Sequence, residues 1–307
     1  MDYISAKKMI LPIKAGGDMF GFTHMMNIYR GCDHGCIYCD SRSECYQGGR
    51  PEGDFGKVHA KEDALNKIEQ ELQKRKTNLS ERIIGTGSMS DPYNSFEEEL
   101  ELTRGALRLF DKYKCGVGVI TKSALAARDA DIYSQIQKHS SVNVGITITT
   151  ADSEISKIIE PNVSSPADRF KAIRKLADAE VFTGVHMNPI LPFITDFEEN
   201  IRQVIEKSAE NGARYVLCYG FGMTLRKGSR DYYYENLEKH YPGLKERYME
   251  NYKEQYICNC KNSKELSLIF KEACEKHGLL YKMKEINSAW IKEKSGSMLK
   301  QKSLMDF

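Results

Sequence analysis

The chain has 307 residues, a formal net charge of +2, and 41% hydrophobic and 29% charged residues. This length allows one large domain or two small ones around a buried core, and the composition is ordinary for a soluble globular protein. The near-neutral net charge excludes a chain that is strongly basic throughout, while local basic patches for a polyanion stay open.

The N-terminus, MDYISAKKMILPIKAGG, has only a short apolar run that Pro12 interrupts. It lacks the long apolar region and small-residue cleavage site of a signal peptide, and no stretch of the chain is apolar for long enough to span a membrane. These features predict a cytoplasmic protein with no membrane partner. Nine cysteines in such a chain favour metal ligation or redox chemistry over disulfides.

Strands and helices then alternate along the chain. Six β-branched runs predict strands at 25–29, 82–86, 116–121, 142–149, 182–188 and 213–220. Apolar residues at helical spacing predict helices over 64–72, 100–110, 170–177 and 201–209. This order predicts an α/β fold, a partial (β/α)6 TIM-like barrel of right-handed βαβ units, with its active site at the carboxyl ends of the strands.

The composition changes towards the C-terminus, which becomes charged and rich in tyrosine from about Gly228. We expect helices there that lie against the barrel and end at a loop with Cys258 and Cys260, followed by an amphipathic helix with Cys274 on its apolar side. The last residues are predicted to be poorly ordered. The predicted regions are an N-terminal extension (1–24), a partial barrel (25–225), a helical extension (226–290) and a flexible tail (291–307).

The stretch GCDHGCIYCD, residues 31–40, directly follows the first predicted strand. Its three cysteines, Cys32, Cys36 and Cys39, are soft ligands at a spacing that suits an iron–sulfur cluster or zinc. A structural zinc site needs four protein ligands, and the candidates for the fourth are His34, Asp40 and Cys45. A cubane cluster held by three cysteines instead leaves one iron open for a substrate or cofactor.

With the aromatic Tyr38 before its last cysteine, this motif resembles the signature of the radical SAM superfamily. The resemblance implies a [4Fe–4S] cluster on Cys32, Cys36 and Cys39, with S-adenosylmethionine as the remaining ligand through its amino and carboxylate groups. It also implies a one-electron reductant of the flavodoxin or ferredoxin type. Reductive cleavage would give methionine and a 5′-deoxyadenosyl radical that abstracts hydrogen from a substrate, while the protein supplies positioning and electrostatics.

Four later stretches are similar to the spore photoproduct lyase-like branch of that superfamily, whose members are often labelled DNA repair photolyases. They are GTGSMSDPYNSFEEELELTR (85–104), TKSALAARD (121–129), ITITTADSEISKIIEPNVSSPADRFKAI (146–173) and FGMTLRKGSRDYYYENL (221–237). The resemblance extends from about Met26 to Leu279. It implies a nucleic acid lesion as the substrate, and the alternatives are a radical enzyme that modifies a protein or peptide and a non-catalytic zinc-binding adaptor.

The resemblance also implies residues that bind the cofactor. Ser90 and Lys122 match positions that hold the methionyl part of S-adenosylmethionine, and Thr147 matches a polar position near it. Tyr38 would shield the cluster and stack on adenine, and Arg169 is a candidate contact to a carboxylate.

Simpler interpretations exist for three of these residues. Ser90 and Asp91, which precede a proline and acidic residues, also suit the start of a helix. Lys122 could be a solvated lysine, and Arg169 could belong to a helix start.

Two positions depart from the lyase pattern. The lyase has a hydrogen-donor cysteine two residues before the position of Ser90, where this chain has Ser88, and a tyrosine where this chain has Asp40. The O–H bond of a serine is too strong to return a hydrogen atom to a thymine radical. We therefore expect a relative of the lyase with another substrate or another radical quencher.

Further candidate residues lie on the later strands and in the C-terminal region. Cys218 and His186, at two strand ends, are candidates for a hydrogen donor and for a substrate contact or proton carrier, although Cys218 also suits a core. Cys258 and Cys260 could bind a second metal with Cys45 and Cys274, or be loop thiols near the start of a helix. The tyrosines at 232–234, together with Arg226, Lys227 and Arg230, form a basic and aromatic patch that suits phosphates and bases.

Overall fold

The computed structural model describes residues 1–13, 19–47, 54–74 and 82–292. The strands are β1 (Asp2–Ile4), β2 (Ile10–Pro12), β3 (His24–Met26), β4 (Tyr29–Arg30), β5 (His59–Lys61), β6 (Ile83–Thr86), β7 (Gly116–Thr121), β8 (Val142–Thr147), β9 (Thr183–His186), β10 (Tyr215–Leu217), β11 (Gly222–Thr224) and β12 (Ile257–Asn259).

The α-helices are α1 (Glu44–Gln47), α2 (Ala64–Lys74), α3 (Glu97–Leu100), α4 (Leu102–Lys112), α5 (Ala130–Gln137), α6 (Ser153–Ile159), α7 (Pro166–Asp178), α8 (Glu198–Glu210), α9 (Ser229–His240), α10 (Leu244–Tyr252), α11 (Ser263–Lys276) and α12 (Met283–Trp290). Short 3₁₀ helices lie at Asp40–Arg42, Asp54–Gly56 and Ala124–Asp129. Within the described ranges, no helix has both the length and the apolarity that a membrane crossing requires.

The largest sheet has the strand order β10-β9-β8-β7-β6-β3-β2. All pairs from β3 to β10 are parallel, and β2 adds an antiparallel strand at the edge beside β3. The six parallel strands coincide with the six predicted runs, and helices lie between them in the chain. The predicted partial (β/α)6 barrel is therefore confirmed, and its carboxyl edge gathers the loops after the strands.

An apolar stripe and a capping residue coincide in α7. In α7, the N-cap Ser165 accepts a hydrogen bond from the Asp168 amide at 3.1 Å, and Pro166 occupies the first turn. In the predicted apolar stripe of this helix, Phe170, Ile173 and Leu176 are buried, and Ala177 at its edge is half-buried. Burial of that stripe, rather than helix propensity alone, fixes α7 against the barrel.

The C-terminal region differs from the prediction at Cys258 and Cys260. Cys258 lies in β12, which pairs with β11 in an antiparallel two-stranded sheet, and Cys260 follows directly. Both thiols are buried, with 0% and 2% exposure. The expected loop is wrong for Cys258, which lies on a strand between two exposed residues, whereas Cys260 lies beyond the end of that strand. Cys274 is also buried in the core, as expected. Most of the predicted tail, 293–307, lies outside the described residues.

Candidate active site

The cysteine loop is fixed by backbone contacts on both sides. Gly31 has φ +79°, and a Cβ there would lie 2.0 Å from the Lys57 carbonyl oxygen, so only glycine fits. The Cys32 amide donates to the Phe55 carbonyl at 2.9 Å, and the Ile37 amide donates to the Ile159 carbonyl at 3.0 Å. The loop therefore lies between the 3₁₀ helix at Asp54–Gly56 and the end of α6.

The three thiols differ in their exposure. Cys36 is buried, Cys32 and Cys39 are half-buried, and all three are free of disulfides. Burial raises the pKa values of the Cys36 and Cys39 thiols, while the nearby Lys122 ammonium opposes that shift. A positive charge beside these thiols is the electrostatic environment that stabilises thiolate ligands.

The three candidates for a fourth protein ligand have other partners. The Nδ1 of His34 lies 3.4 Å from an Asp91 carboxylate oxygen. Asp40 pairs with the Arg226 guanidinium at 3.5 Å, and the Arg226 Nη1 lies 3.5 Å from the Cys45 sulfur. Across the described ranges, no three His, Cys, Asp or Glu side chains are grouped as a site for a single metal ion.

Asp91 joins the ends of two strands to the cysteine loop. One oxygen of its carboxylate accepts from the Thr121 hydroxyl at 2.6 Å and from the Tyr93 amide at 2.9 Å. The other accepts from the Lys122 amide at 2.9 Å and faces His34. Asp91 thus closes a turn, and the interpretation of this segment as a helix start is wrong because α3 begins only at Glu97.

The cofactor-site candidates at the strand ends lie close to the cysteine loop. The Ser90 hydroxyl donates to the Gly31 carbonyl at 2.5 Å. The Lys122 ammonium lies 5.6 Å from the centre of the Tyr38 ring and is not a solvated surface group. Burial lowers the pKa of Lys122, but the neighbouring Cys36 and Glu160 charges outweigh it, so the pKa is raised. Lys122 is therefore a fixed positive charge at neutral pH.

A buried carboxylate, Glu160, holds Tyr38 and was not assigned a role from the sequence. It accepts a short hydrogen bond from the Tyr38 hydroxyl, one from Thr149 at 3.1 Å, and an ion pair from the Arg169 Nη2 at 2.6 Å. Burial raises the pKa of Glu160, but the Arg169 charge, then Lys122 and the hydrogen bonds, hold it below its ordinary value. Glu160 is thus ionised and fixes the orientation of the Tyr38 ring.

Arg169 contacts a carboxylate of the protein itself, that of Glu160. Its side chain is fully buried, and its Nη1 donates to the Thr147 carbonyl at 2.8 Å while its Nη2 contacts Glu160 and Ser156. The guanidinium therefore positions Glu160 and the end of β8 instead of facing a cofactor. Thr147, the last residue of β8, is buried at the carboxyl edge of the sheet.

His186 is the last residue of β9, and Cys218 directly follows the neighbouring strand β10, so both lie at the same edge of the sheet. The Tyr215 hydroxyl donates to the Asn143 side-chain oxygen at 3.0 Å, so the His186 Nε2, 3.2 Å from that hydroxyl, carries the ring proton. Burial, and then Lys122, lower the pKa of His186 to about 4, which leaves a neutral ring with Nδ1 as an acceptor. The half-buried Cys218 thiol donates to the Gly220 carbonyl at 3.4 Å, and burial raises its pKa to about 11.

The predicted basic and aromatic patch is largely neutralised. Arg226 pairs with Asp40, Lys227 with Glu44 at 3.0 Å, and Arg230 with Glu254. Tyr233 is fully buried, and Tyr232 and Tyr234 are half-buried, so these tyrosines contribute mainly to packing. Acidic side chains from α1, the preceding 3₁₀ helix and the segment after α10 therefore compete with phosphates for these three cations.

Comparison with known proteins identifies the class. The sequence profile of the Radical SAM superfamily matches residues 26–220, more than half of the chain. The chain therefore belongs to the radical SAM superfamily and is a radical SAM enzyme, as predicted. Membership implies an iron–sulfur cluster, S-adenosylmethionine and a source of electrons for the cluster.

Its relatives include uncharacterized proteins from an archaeon and a bacterium. A protein of Methanocaldococcus jannaschii is 31% identical over 251 residues, which cover 81% of this chain and 84% of that protein. A protein of Mycobacterium tuberculosis is 28% identical over 234 residues, which cover 76% of this chain and 68% of that protein.

The fold is similar to that of spore photoproduct lyase. The lyase complexed with dinucleoside spore photoproduct has a TM-score of 0.64 and 15% identity, and the match covers 91% of this chain and 81% of the lyase. A lyase mutant with bound AdoMet and the same dinucleoside gives a TM-score of 0.62 and 17% identity, with 85% of this chain and 76% of that chain covered. The predicted lyase-like fold is confirmed.

Proposed function

We propose that Cys32, Cys36 and Cys39 hold a [4Fe–4S] cluster whose remaining iron takes S-adenosylmethionine. The observation that carries this proposal is the placement of three thiols on one loop at the carboxyl edge of the barrel, with a fixed Lys122 charge beside them. The donor set fits the group because thiolates are the usual protein ligands of such clusters, and His34, Asp40 and Cys45 have other partners.

A cluster bound there would supply the one-electron reduction of S-adenosylmethionine, the chemistry by which a radical SAM enzyme abstracts a substrate hydrogen. The side chains of the site position the cofactor. Lys122 attracts its carboxylate. The Ser90 hydroxyl donates a hydrogen bond to the Gly31 carbonyl, so its oxygen would accept one from the amino group of the cofactor. Thr147 lies at the neighbouring strand end, and Tyr38, held by Glu160, screens the site from water.

The substrate is the finer part of the proposal. We infer hydrogen abstraction from a nucleic acid base or lesion, supported by the fold shared with the lyase whose structure contains a dinucleoside. Ser88 in place of a thiol argues against the lyase reaction itself, and Cys218, directly after β10 at the same carboxyl edge of the sheet, is the thiol that suits hydrogen return. For the electron donor we propose a cytoplasmic flavodoxin or ferredoxin, with the barrel at 25–225 as the catalytic unit.

The test is anaerobic reconstitution with iron and sulfide, followed by dithionite and S-adenosylmethionine and an assay for 5′-deoxyadenosine. We expect the wild-type chain to form it and Cys36→Ala to lose it. Cys45→Ala is the matched control, because Cys45 lies near the motif but outside it; we expect this variant to keep iron, colour and product. A colourless protein that binds zinc, loses it in Cys45→Ala and makes no 5′-deoxyadenosine would contradict the proposal.

A further inference from the structure

A cavity of about 250 Å³ lies beside the cysteine loop. Its walls include Gly31, the residue before Cys32, and Ser90 at the end of the β6 loop. The volume is just under the roughly 300–1,000 Å³ of typical small-molecule pockets. The cavity therefore suits one small, nucleotide-sized ligand that reaches the outer side of the proposed cofactor site.

Two cations line this cavity. Arg30 in β4 lies opposite His59 in β5, so its side chain shares a face of the antiparallel ladder with Lys61, two residues after His59. Arg30 and Lys61 both line the cavity. Burial lowers the pKa of Lys61, and the Arg30 charge lowers it further, which agrees with the short distance between the two positive groups.

Among the residues that the structure describes, no carboxylate forms an ion pair with Arg30 or Lys61. The Glu71 charge raises the pKa of Lys61. One oxygen of the Glu71 carboxylate accepts a hydrogen bond from the Met9 amide at 2.8 Å, and the other accepts one from the Ile10 amide at 3.0 Å. Two like charges in one cavity, with no ion-paired carboxylate in the described part of the chain, favour an anion, and two donors of this kind suit phosphate.

The rest of the wall is aromatic and polar. Tyr46 and Phe55 line the cavity, and the Arg42 guanidinium lies 5.2 Å from the centre of the Phe55 ring. The side-chain oxygen of Asn27, also in the wall, is buried without a hydrogen-bond partner. An aromatic wall accepts a planar ring, and the unpartnered oxygen accepts a hydroxyl or amino donor of the ligand.

We propose that this cavity binds the phosphate ester of a nucleotide-sized substrate, with the phosphate between Arg30 and Lys61 and the ring against Tyr46 and Phe55. The assignment of the occupant as a substrate rests on the proposed function. The phosphate site itself rests on the cavity, on two cations that form no ion pair with any described carboxylate, and on the unpartnered Asn27 oxygen. The neutralised surface around Arg226 makes this cavity the more favourable place for an anion.

The experiment is calorimetric titration of the reconstituted enzyme with uridine 5′-monophosphate, uridine, inorganic phosphate and succinate. We expect the nucleotide to bind and inorganic phosphate to compete with it, while uridine and succinate bind at least about tenfold more weakly, since charge-assisted bonds to phosphate are lost. Succinate binding as tightly as the nucleotide would overturn the phosphate assignment.

The decisive variant is Arg30→Gln/Lys61→Gln, which should weaken nucleotide binding at least about tenfold. Arg108→Gln/Lys264→Gln removes the same charge from exposed positions on α4 and α11 and should leave binding unchanged. Since Lys61 is half-buried, the single variant of the exposed Arg30 tests the same point if the double variant does not fold. Equal weakening in test and control, or no nucleotide binding by the wild-type chain, would overturn the inference.

The outcome separates this inference from the proposed function. If the wild-type enzyme forms 5′-deoxyadenosine but does not bind the nucleotide, the radical chemistry stands and the phosphate site is wrong. If the nucleotide binds through Arg30 and Lys61 but 5′-deoxyadenosine never forms, the site stands and the proposed function is wrong.

Discussion

Replacement of Glu160 by glutamine tests the buried network that holds Tyr38. Glu160 and Arg169 are an ion pair at 2.6 Å with both side chains fully buried. Glu160→Gln keeps the shape but leaves the Arg169 charge uncompensated, and removing one partner of a buried pair costs about 3–5 kcal/mol. At about 2.1 cal/mol/K of unfolding entropy per residue, a chain of 307 residues would lose about 5–8 °C of Tm.

The assay is thermal unfolding of the wild-type chain and three variants. The matched control is Glu154→Gln in α6, the helix that ends directly before Glu160. Its ion pair with Lys157 is exposed by 80% and 71%, and we expect a change below about 0.5 kcal/mol there. The double variant Glu160→Gln/Arg169→Met should be more stable than the sum of its single changes, since no lone charge remains. A Glu160→Gln variant with the same Tm as the Glu154→Gln control would refute the reasoning.

The same network predicts an acid dependence. In the folded chain the pKa of Glu160 lies below its ordinary value of 4.5, so its contribution to the free energy of unfolding is complete above about pH 4.5. It is lost as the pH falls through the lower folded-state pKa, because the unfolded state then binds the proton first. Unfolding of the Glu160→Gln variant should therefore depend less on pH in this acid range than unfolding of the wild-type chain.

Three further predictions concern the loop and the strand ends. Gly31→Ala should prevent iron uptake, whereas Gly243→Ala, with a similar φ of +82° and no atom within 4 Å, should cost only about 1 kcal/mol; equal iron content in both would contradict the steric argument. As the pH falls from 6.5 to about 4, the wild-type chain should lose about 1.4 kcal/mol of unfolding free energy per unit by which the pKa of His186 is lowered. His186→Asn should not show this loss, and urea unfolding at pH 6.5 and at about pH 4 measures the difference. Lys122→Gln should weaken S-adenosylmethionine binding at least about tenfold by calorimetry, and unchanged affinity would exclude the carboxylate contact.

The barrel was predictable because its strands are buried on both faces. Every residue of β8 is buried, and such a strand produces a continuous β-branched run in the sequence. The predicted strand nevertheless extended to residue 149, beyond Thr147, since Ile148 and Thr149 continue the same pattern outside the ladder. The pattern therefore located the strands better than their ends.

Residues that act through distant partners were less predictable. Glu160 lies 122 positions from Tyr38, and no local pattern indicates that they meet. Arg169 sits at a helix start, where an exposed side chain is the usual expectation, yet it is fully buried. Cys258 was placed on a loop because a three-residue strand is too short to produce alternation, and only pairing with β11 orders it.

Charges on short strands show the same limit. Arg30 and Lys61 are separated by about thirty residues, and the pairing of β4 with β5 alone places them on one face. Arg226 and Lys227 formed a basic cluster in the sequence, but their acidic partners come from a different part of the chain. Pairing across the fold, rather than local composition, decides which cations are left for a ligand.

The most direct test of the central claim is whether S-adenosylmethionine binds the cluster as its remaining ligand. Electron–nuclear double resonance on the reduced, reconstituted enzyme, with S-adenosylmethionine labelled with ¹⁷O in its carboxylate, measures that contact. The account predicts a hyperfine coupling from the label in the wild-type chain and in Cys45→Ala. A reduced cluster that shows no coupling to the label would mean that a protein side chain occupies the remaining iron, and it would contradict the account.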